Sequence, residues 1–138
     1  RPNSLAPNKR CLMNVCPAIG RHKDRRFAIG ASGGRKILPA ILQLTSCLMD
    51  FDMTLEDAFH QARVDFSGGD TVIIDQSLSP DIIAALGEGH RCVTTRRTAF
   101  PYAFACPAGV LRQGNFNQGM TEIMSPWGDA VAENRDGS

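Results

Sequence analysis

The sequence predicts an α+β fold, and three observations support this prediction. Apolar residues between Ile37 and Met49 recur mostly three and four positions apart, which is typical of a helix with one buried face. The run from Thr71 to Asp75 is rich in β-branched residues and indicates a strand. Along the chain the predicted order is strand, two helices, strand, helix and then a meander of strands, which favours layered α+β packing over a doubly wound sheet.

The first elements are predicted from turn and cap residues. A charged stretch at 21–26 separates the strand positions Ile19 and Phe27, and we interpret it as a solvated hairpin turn. The helix containing Ile37 follows the second of these strands. The next helix is predicted to begin after Thr54, a favoured N-cap residue, and to end near Arg63.

Beyond the strand at 71–75, the sequence predicts one short helix and four strands. The helix begins after Ser79, with Pro80 at its first position, and Gly87 and Gly89 close it. Strand-like runs follow at 92–95, 102–106, 110–113 and 120–124.

Composition narrows the possible function classes. The 138 residues are 43% hydrophobic and 21% charged, as in an ordinary globular domain or a piece of one. A net charge of +1 provides no overall field to hold nucleic acid or an anionic membrane, so neither is predicted as a partner. No apolar run approaches the ~20 residues of a membrane span. The first residues, Arg1 to Ser4, are typical of neither a signal peptide nor a translation start, which predicts a processed or truncated chain.

The five cysteines indicate neither a disulfide framework nor a metal site. They are odd in number, and the gap between Cys11 and Cys16 is wrong for a zinc knuckle. Although His22 follows, a second ligand pair does not, so we predict no metal and no cofactor. Five free thiols slightly favour the cytoplasm over the periplasm, and the sequence does not identify the compartment.

A glycine-rich turn is the strongest candidate for a chemical site. The run Gly30-Ala31-Ser32-Gly33-Gly34 lies between a predicted strand and a long helix, where backbone N–H groups converge on the positive end of the helix dipole. Such a turn binds an oxyanion or a phosphate group, although its spacing matches neither the Walker nor the Rossmann pattern. A phosphate- or nucleotide-binding module is therefore the alternative function, and a tight connection without any ligand is the structural alternative.

Other catalytic constellations are weak in this sequence. Ser32 is a candidate nucleophile, but it lacks an identifiable base, and the favoured interpretation is a hydroxyl that caps the following helix. The three histidines, His22, His60 and His90, are scattered along the chain, and His60 is expected at the edge of a helix.

Four stretches, taken together, resemble the gamma-glutamyltransferase family in order and spacing. They are Arg1-Pro2-Asn3-Ser4-Leu5-Ala6-Pro7-Asn8-Lys9-Arg10, then Cys16-Pro17-Ala18-Ile19, then the glycine turn with its helix, and finally Phe51-Asp52-Met53-Thr54-Leu55-Glu56-Asp57-Ala58 with Ala62-Arg63-Val64-Asp65. The segment Ala62-Arg63-Val64-Asp65 is placed like the family's Pro-Arg-Leu or Pro-Arg-Phe segment. The resemblance covers most of the chain and fades after about Gly114.

This resemblance implies a fold and a reaction. The family has a four-layer αββα sandwich made by a precursor that cleaves itself, and the exposed threonine uses its own α-amino group as base. Residues 1–138 would then be a single segment, the C-terminal part of the small subunit. The upstream nucleophile region and the large subunit would be its partners. Gly33 and Gly34 would be the catalytic oxyanion-hole residues, and the segment alone would be inactive because its threonines are internal.

The substrate pocket departs from the family pattern. Where the family has a Ser-Ser pair that binds the α-carboxylate of the glutamyl group, this chain has Met13 and Asn14. Asn14 can still donate a hydrogen bond and Met13 cannot, which favours a small amide with another acyl group over a gamma-glutamyl substrate. The alternatives are that Met13 lies in the core and Asn14 in a turn. A catalytically dead homologue kept as a scaffold is a third possible function.

Overall fold

The structure, a computed structural model, describes residues 3–132; within this range it contains three α-helices and seven strands. The helices are α1 (Ile37–Met49), α2 (Leu55–His60) and α3 (Pro80–Gly89), and a short 3₁₀ helix at Gly34–Lys36 precedes α1. The strands are β1 (Ala18–His22), β2 (Arg25–Ser32), β3 (Val64–Asp65), β4 (Thr71–Asp75), β5 (Arg91–Thr95), β6 (Cys106–Gln113) and β7 (Phe116–Thr121). This mixture of helix and sheet confirms the predicted α+β class.

Four antiparallel strands form the larger sheet, in the order β1-β2-β6-β7. One row of the register runs from Ile19 through Ala28 and Val110 to Gly119, so these residues share the outer face. On the other face, alternate residues of β2 and β6, such as Phe27, are buried. One face of the larger sheet is therefore buried, and the outer face is not.

Helices α1 and α2 cover the buried face of this sheet. Their apolar side chains and those of β2 and β6 form the core, which comprises Phe27, Ile29, Ile37, Ile41, Leu44, Leu48, Leu55, Ala58, Phe59 and Leu111. Gly109 is required there because a Cβ atom would lie 2.7 Å from Ile29 Cγ2 and 3.2 Å from the Phe59 ring. The N-cap prediction for α2 is confirmed, since Thr54 Oγ1 accepts a hydrogen bond of 3.0 Å from Asp57 N.

The second sheet has three strands in the order β3-β4-β5. β4 and β5 are parallel, and α3 forms the crossover between them. Among residues 3–132, no helix combines the length and apolar composition needed to cross a bilayer.

A buried ion network joins the two sheets. Arg63 pairs with Glu122, which follows β7, while Arg97 Nε lies 3.3 Å from Asp75 Oδ2 at the end of β4. Arg97 Nη1 also lies 3.8 Å from Glu122 Oε1. Burial and, next, the Arg63 charge lower the pKa of Arg97. Two carboxylates thus offset two buried guanidinium groups, and loss of either acid would leave a charge without its counterion.

Three element predictions are wrong in detail. Helix α2 ends at His60, not near Arg63, because Gln61 is extended with φ −56° and ψ 140°. The strand predicted at 120–124 lies at 116–121. The last strands do not form one meander, because β5 belongs to the smaller sheet and β6 pairs with β2.

The strand predicted at 102–106 is also wrong. Cys106 begins β6, which continues through the run predicted at 110–113. Residues 101–105 are irregular, with bends at 101, 103 and 104, and Lys36 Nζ donates a 2.6 Å hydrogen bond to Ala103 O. The two-residue strand β3 carries no sequence signal of its own.

Candidate active site

The glycine turn lies where β2 ends and the helical segment begins, as predicted. Ser32 is the last residue of β2, and the 3₁₀ helix begins at Gly34. Gly33 has φ 143° and Gly34 has φ 60°, and both angles lie in the region that favours glycine. Both residues are exposed, so the backbone of the turn is open to an approaching ligand.

The two glycines are required for different reasons. A Cβ atom on Gly33 would lie 2.9 Å from the Cα of Ala105, so the main chain of the turn packs directly on the main chain of the 98–105 loop. A Cβ atom on Gly34 would have no neighbour within 4 Å. Gly33 therefore anchors the turn, and Gly34 leaves space beside the backbone.

Positive partial charge converges on this turn. It lies at the N-terminal end of the helical segment that continues into α1, a helix of 13 residues whose dipole favours negative charge at that end. Lys36 Nζ lies 3.1 Å from Asp65 Oδ2, so its charge is paired with a buried carboxylate. Arg35 beside it is exposed. The arrangement can stabilise negative charge that develops next to the glycines.

Met13 and Asn14 lie in the irregular segment that precedes β1. At one edge of the large sheet β1 begins, β2 ends, β6 begins and β7 ends, as the pairings of Ser32 with Cys106 and of Ala108 with Thr121 show. The segment before β1 and the glycine turn therefore extend from the same edge. Met13 is 65% exposed, so the alternative that it lies in the core of this chain is wrong. Asn14 is also exposed.

The other candidates do not form a catalytic constellation among residues 3–132. Ser32 does not cap the helix, because Gly33 is the N-cap of the 3₁₀ turn and Lys36 is that of α1. His60 is exposed, and its Nδ1 lies 2.9 Å from Glu56 O of its own helix, as expected for a helix edge. No group of three potential metal ligands occurs within the same range.

Sequence reasoning missed an aromatic pair at the same edge. The rings of Tyr102 and Trp127 meet edge to face, with centroids 6.5 Å apart and an interplanar angle of 64°. They are the only tyrosine and the only tryptophan in the sequence. The sequence alone shows that each of these residue types occurs once. Only the fold shows that the two residues, 25 positions apart, are in contact.

Comparison with known proteins identifies a family and two relatives. The gamma-glutamyltranspeptidase family model matches residues 1–122. The chain is 32% identical over 101 residues to the Acylase ACY 1 proenzyme of a Pseudomonas species, covering 72% of this chain and 18% of that protein. It is 27% identical over 95 residues to the glutathione hydrolase proenzyme of Bacillus subtilis subsp. natto, covering 67% and 16%.

Structural comparison finds the same fold in a solved structure. The gamma-glutamyltranspeptidase from Pseudomonas nitroreducens superimposes with a TM-score of 0.72 at 20% identity, covering 95% of this chain and 68% of that chain. The likeness confirms the predicted fold, which is that of part of a gamma-glutamyltranspeptidase chain.

The matches bear on the alternative function. They do not support the phosphate- or nucleotide-binding alternative. The chain spans less than a fifth of the length of the acylase it matches, 18%. Arg1 and Pro2, which belong to the first resembling stretch, lie outside the described residues. Because the family model matches most of the sequence, this chain belongs to the gamma-glutamyltranspeptidase family.

Proposed function

We propose that residues 1–138 are the C-terminal part of the small subunit of a self-processing amidohydrolase or acyltransferase. The observation that carries the proposal is the exposed Gly33-Gly34 turn, with both φ angles positive, at the head of the helical segment. A nucleophile adds to the amide carbonyl, whose oxygen becomes an oxyanion that accepts hydrogen bonds from the turn. The C–N bond then breaks, the amine leaves with a proton, and water or another amine takes the acyl group.

The nucleophile lies outside this chain in the proposed enzyme. Thr45, Thr54 and Thr71 are internal, so each α-nitrogen is part of a peptide bond and cannot act as a base. Thr54 is also engaged as the cap of α2. The chain alone is therefore inactive, and chemistry requires the residues upstream in the same precursor.

The outer face of the large sheet supports the proposed partners. On this face Ile19 is 90% exposed and Val110 is 57% exposed, in one register row with Ala28. A concavity of about 530 Å³ lies over the same residues. Exposed apolar residues on a sheet whose other face is covered by helices favour burial by a further layer. The proposed layer comes from the large subunit and the N-terminal part of the small subunit, which would complete the αββα sandwich.

The acyl pocket of the proposed enzyme includes Met13 and Asn14. Both are exposed at the edge from which the glycine turn extends. Asn14 can donate a hydrogen bond to a carbonyl or carboxylate oxygen, and Met13 supplies an apolar wall. The substrate is a small amide whose acyl group lacks the α-carboxylate arrangement of gamma-glutamate. Similarity to an acylase supports this choice.

Intact-mass analysis of the full-length product tests the reaction class. We expect two chains, the smaller one beginning with threonine, and hydrolysis of at least one amide in a panel that varies the acyl group. An uncleaved product that is inactive toward every amide would refute the proposal and favour the scaffold alternative. In the processed enzyme, the double variant Met13→Ser and Asn14→Ser should raise kcat/KM for a gamma-glutamyl amide. An unchanged preference among acyl groups would show that Met13 and Asn14 do not line the acyl pocket.

A further inference from the structure

The aromatic pair formed by Tyr102 and Trp127 is open to solvent in this chain. Trp127 is 75% exposed and Tyr102 is 38% exposed, although their rings contact each other. Each comes from a different connection, the 98–105 loop before β6 and the turn after β7. Two exposed rings that meet edge to face present an aromatic surface on which a third ring can pack.

The 98–105 loop holds this surface close to the glycine turn. Ala105 lies against Gly33, where an added Cβ atom would meet its Cα at 2.9 Å. Lys36 Nζ donates a 2.6 Å hydrogen bond to the carbonyl of Ala103, the residue next to Tyr102. Tyr102 is three residues from Ala105, and three residues span at most about 11 Å. The main chain of Tyr102 therefore lies within about 11 Å of the residue that packs against Gly33.

The strand order separates the two flanks of the turn. The segment that carries Met13 and Asn14 enters β1 on one side of β2, whereas β6 and β7 lie on the other side. In the proposed enzyme the acyl group of an amide held at Gly33 and Gly34 lies toward the segment before β1, which leaves the side of β6 and β7 for its amine group. The aromatic pair lies on that second flank.

We infer that Tyr102 and Trp127 form the amine-side subsite and that it takes an aromatic or other planar ring on the leaving or accepting amine. This inference rests on the proposed function and adds a substrate class to it. The two residues determine specificity by packing against the ring, and they do not take part in proton transfer. Phe100, on the same loop, is also exposed, at 80%.

Matched amides test the subsite in the processed full-length enzyme. An anilide and a propylamide are compared, with the acyl group fixed as the one that wild type cleaves fastest among glutamyl, glutaryl and acetyl. For Tyr102→Ala and for Trp127→Ala, we expect KM for the anilide to rise about three- to tenfold, the range for loss of an aromatic contact. KM for the propylamide should stay within about twofold, because an alkyl chain lacks the ring contact. Comparing each variant with wild type on the same amide removes the difference in intrinsic reactivity.

Two control variants separate packing from folding. Tyr102→Phe keeps the ring and should retain the wild-type KM for the anilide. Phe116→Ala removes an aromatic residue that is 51% exposed at the opposite end of the sheet, and it should leave both amides unaffected. Equal loss on both amides, or failure of the alanine variants to self-cleave, would overturn the inference and assign the rings to contact with another subunit. A wild-type enzyme that cleaves none of the amides would instead refute the proposed function.

Discussion

Replacing Gly33 with alanine should destabilise the protein much more than the same change at Gly34. At φ 143°, an alanine backbone is strained by about 1–3 kcal/mol. Its methyl group would lie 2.9 Å from the Cα of Ala105, and two main-chain segments cannot rotate apart as side chains can. Such overpacking adds about 1–3 kcal/mol, for a sum of about 2–6 kcal/mol.

Gly34 provides the matched comparison, because it is the next residue and also has a positive φ. At φ 60°, alanine costs about 1–2 kcal/mol, and its methyl group has no neighbour within 4 Å. However, that methyl group occupies the space through which a substrate would approach the turn. A displacement of about 1 Å at a reacting centre reduces the rate by about a hundredfold. Gly34→Ala should therefore reduce kcat by about ten- to a hundredfold and lower the free energy of unfolding by only about 1–2 kcal/mol, less than Gly33→Ala.

Urea denaturation and steady-state kinetics of the full-length protein distinguish the two effects. We expect the urea midpoint to fall clearly for Gly33→Ala and only slightly for Gly34→Ala, with the kcat loss at Gly34 measured on folded enzyme. If Gly33→Ala unfolds at the wild-type midpoint, the packing of the turn on Ala105 is not a structural requirement. If Gly34→Ala retains wild-type kcat, the turn does not contact the reacting carbonyl.

Three further predictions concern the packing and thiols of the chain. Glu122→Gln removes the carboxylate that pairs with buried Arg63 and should lower the free energy of unfolding by about 3–5 kcal/mol in urea denaturation; a change below about 1 kcal/mol would contradict a buried ion pair. Gly109→Ala places a methyl group 2.7 Å from a core side chain and should lower the unfolding free energy by about 1–3 kcal/mol, by the same measurement. Burial raises the pKa of the Cys106 thiol, so less thiolate is present at pH 8 and iodoacetamide should alkylate it more slowly than exposed Cys11, as followed by mass spectrometry. Equal alkylation rates would show that Cys106 is open to solvent.

Local patterns predicted the elements around the glycine turn. Helix α1 has a complete amphipathic repeat, α2 has the cap Thr54, and the 21–26 stretch provides a hairpin between two strands. Each signal arises within a few residues of the element that it specifies. The turn could therefore be placed between a strand and a helix before any tertiary contact was known.

Strand β6 could not be predicted in the same way. Its residues Pro107 and Gly109 have low strand propensity, so the pattern suggested two separate short strands. Pro107 is accommodated opposite Ala31 of β2, and Gly109 is selected because Ile29 and Phe59 occupy the space of its side chain. Both residues are explained by contacts with residues far away in the sequence. The periodicity and strand propensity of β6 itself carry no information about such contacts.

The same long-range contacts couple catalysis to specificity in the proposed enzyme. The position of Gly33 depends on Ala105, and the direction of the 98–105 loop depends on the hydrogen bond from Lys36 to Ala103. Because Tyr102 lies on that loop, the loop positions both the oxyanion donors and the aromatic surface. A substitution that moves the loop must change both, whereas removing the Tyr102 ring changes only the surface. The ratio of kcat/KM for the anilide to kcat/KM for the propylamide therefore reports the aromatic contact, and kcat on the propylamide reports the turn.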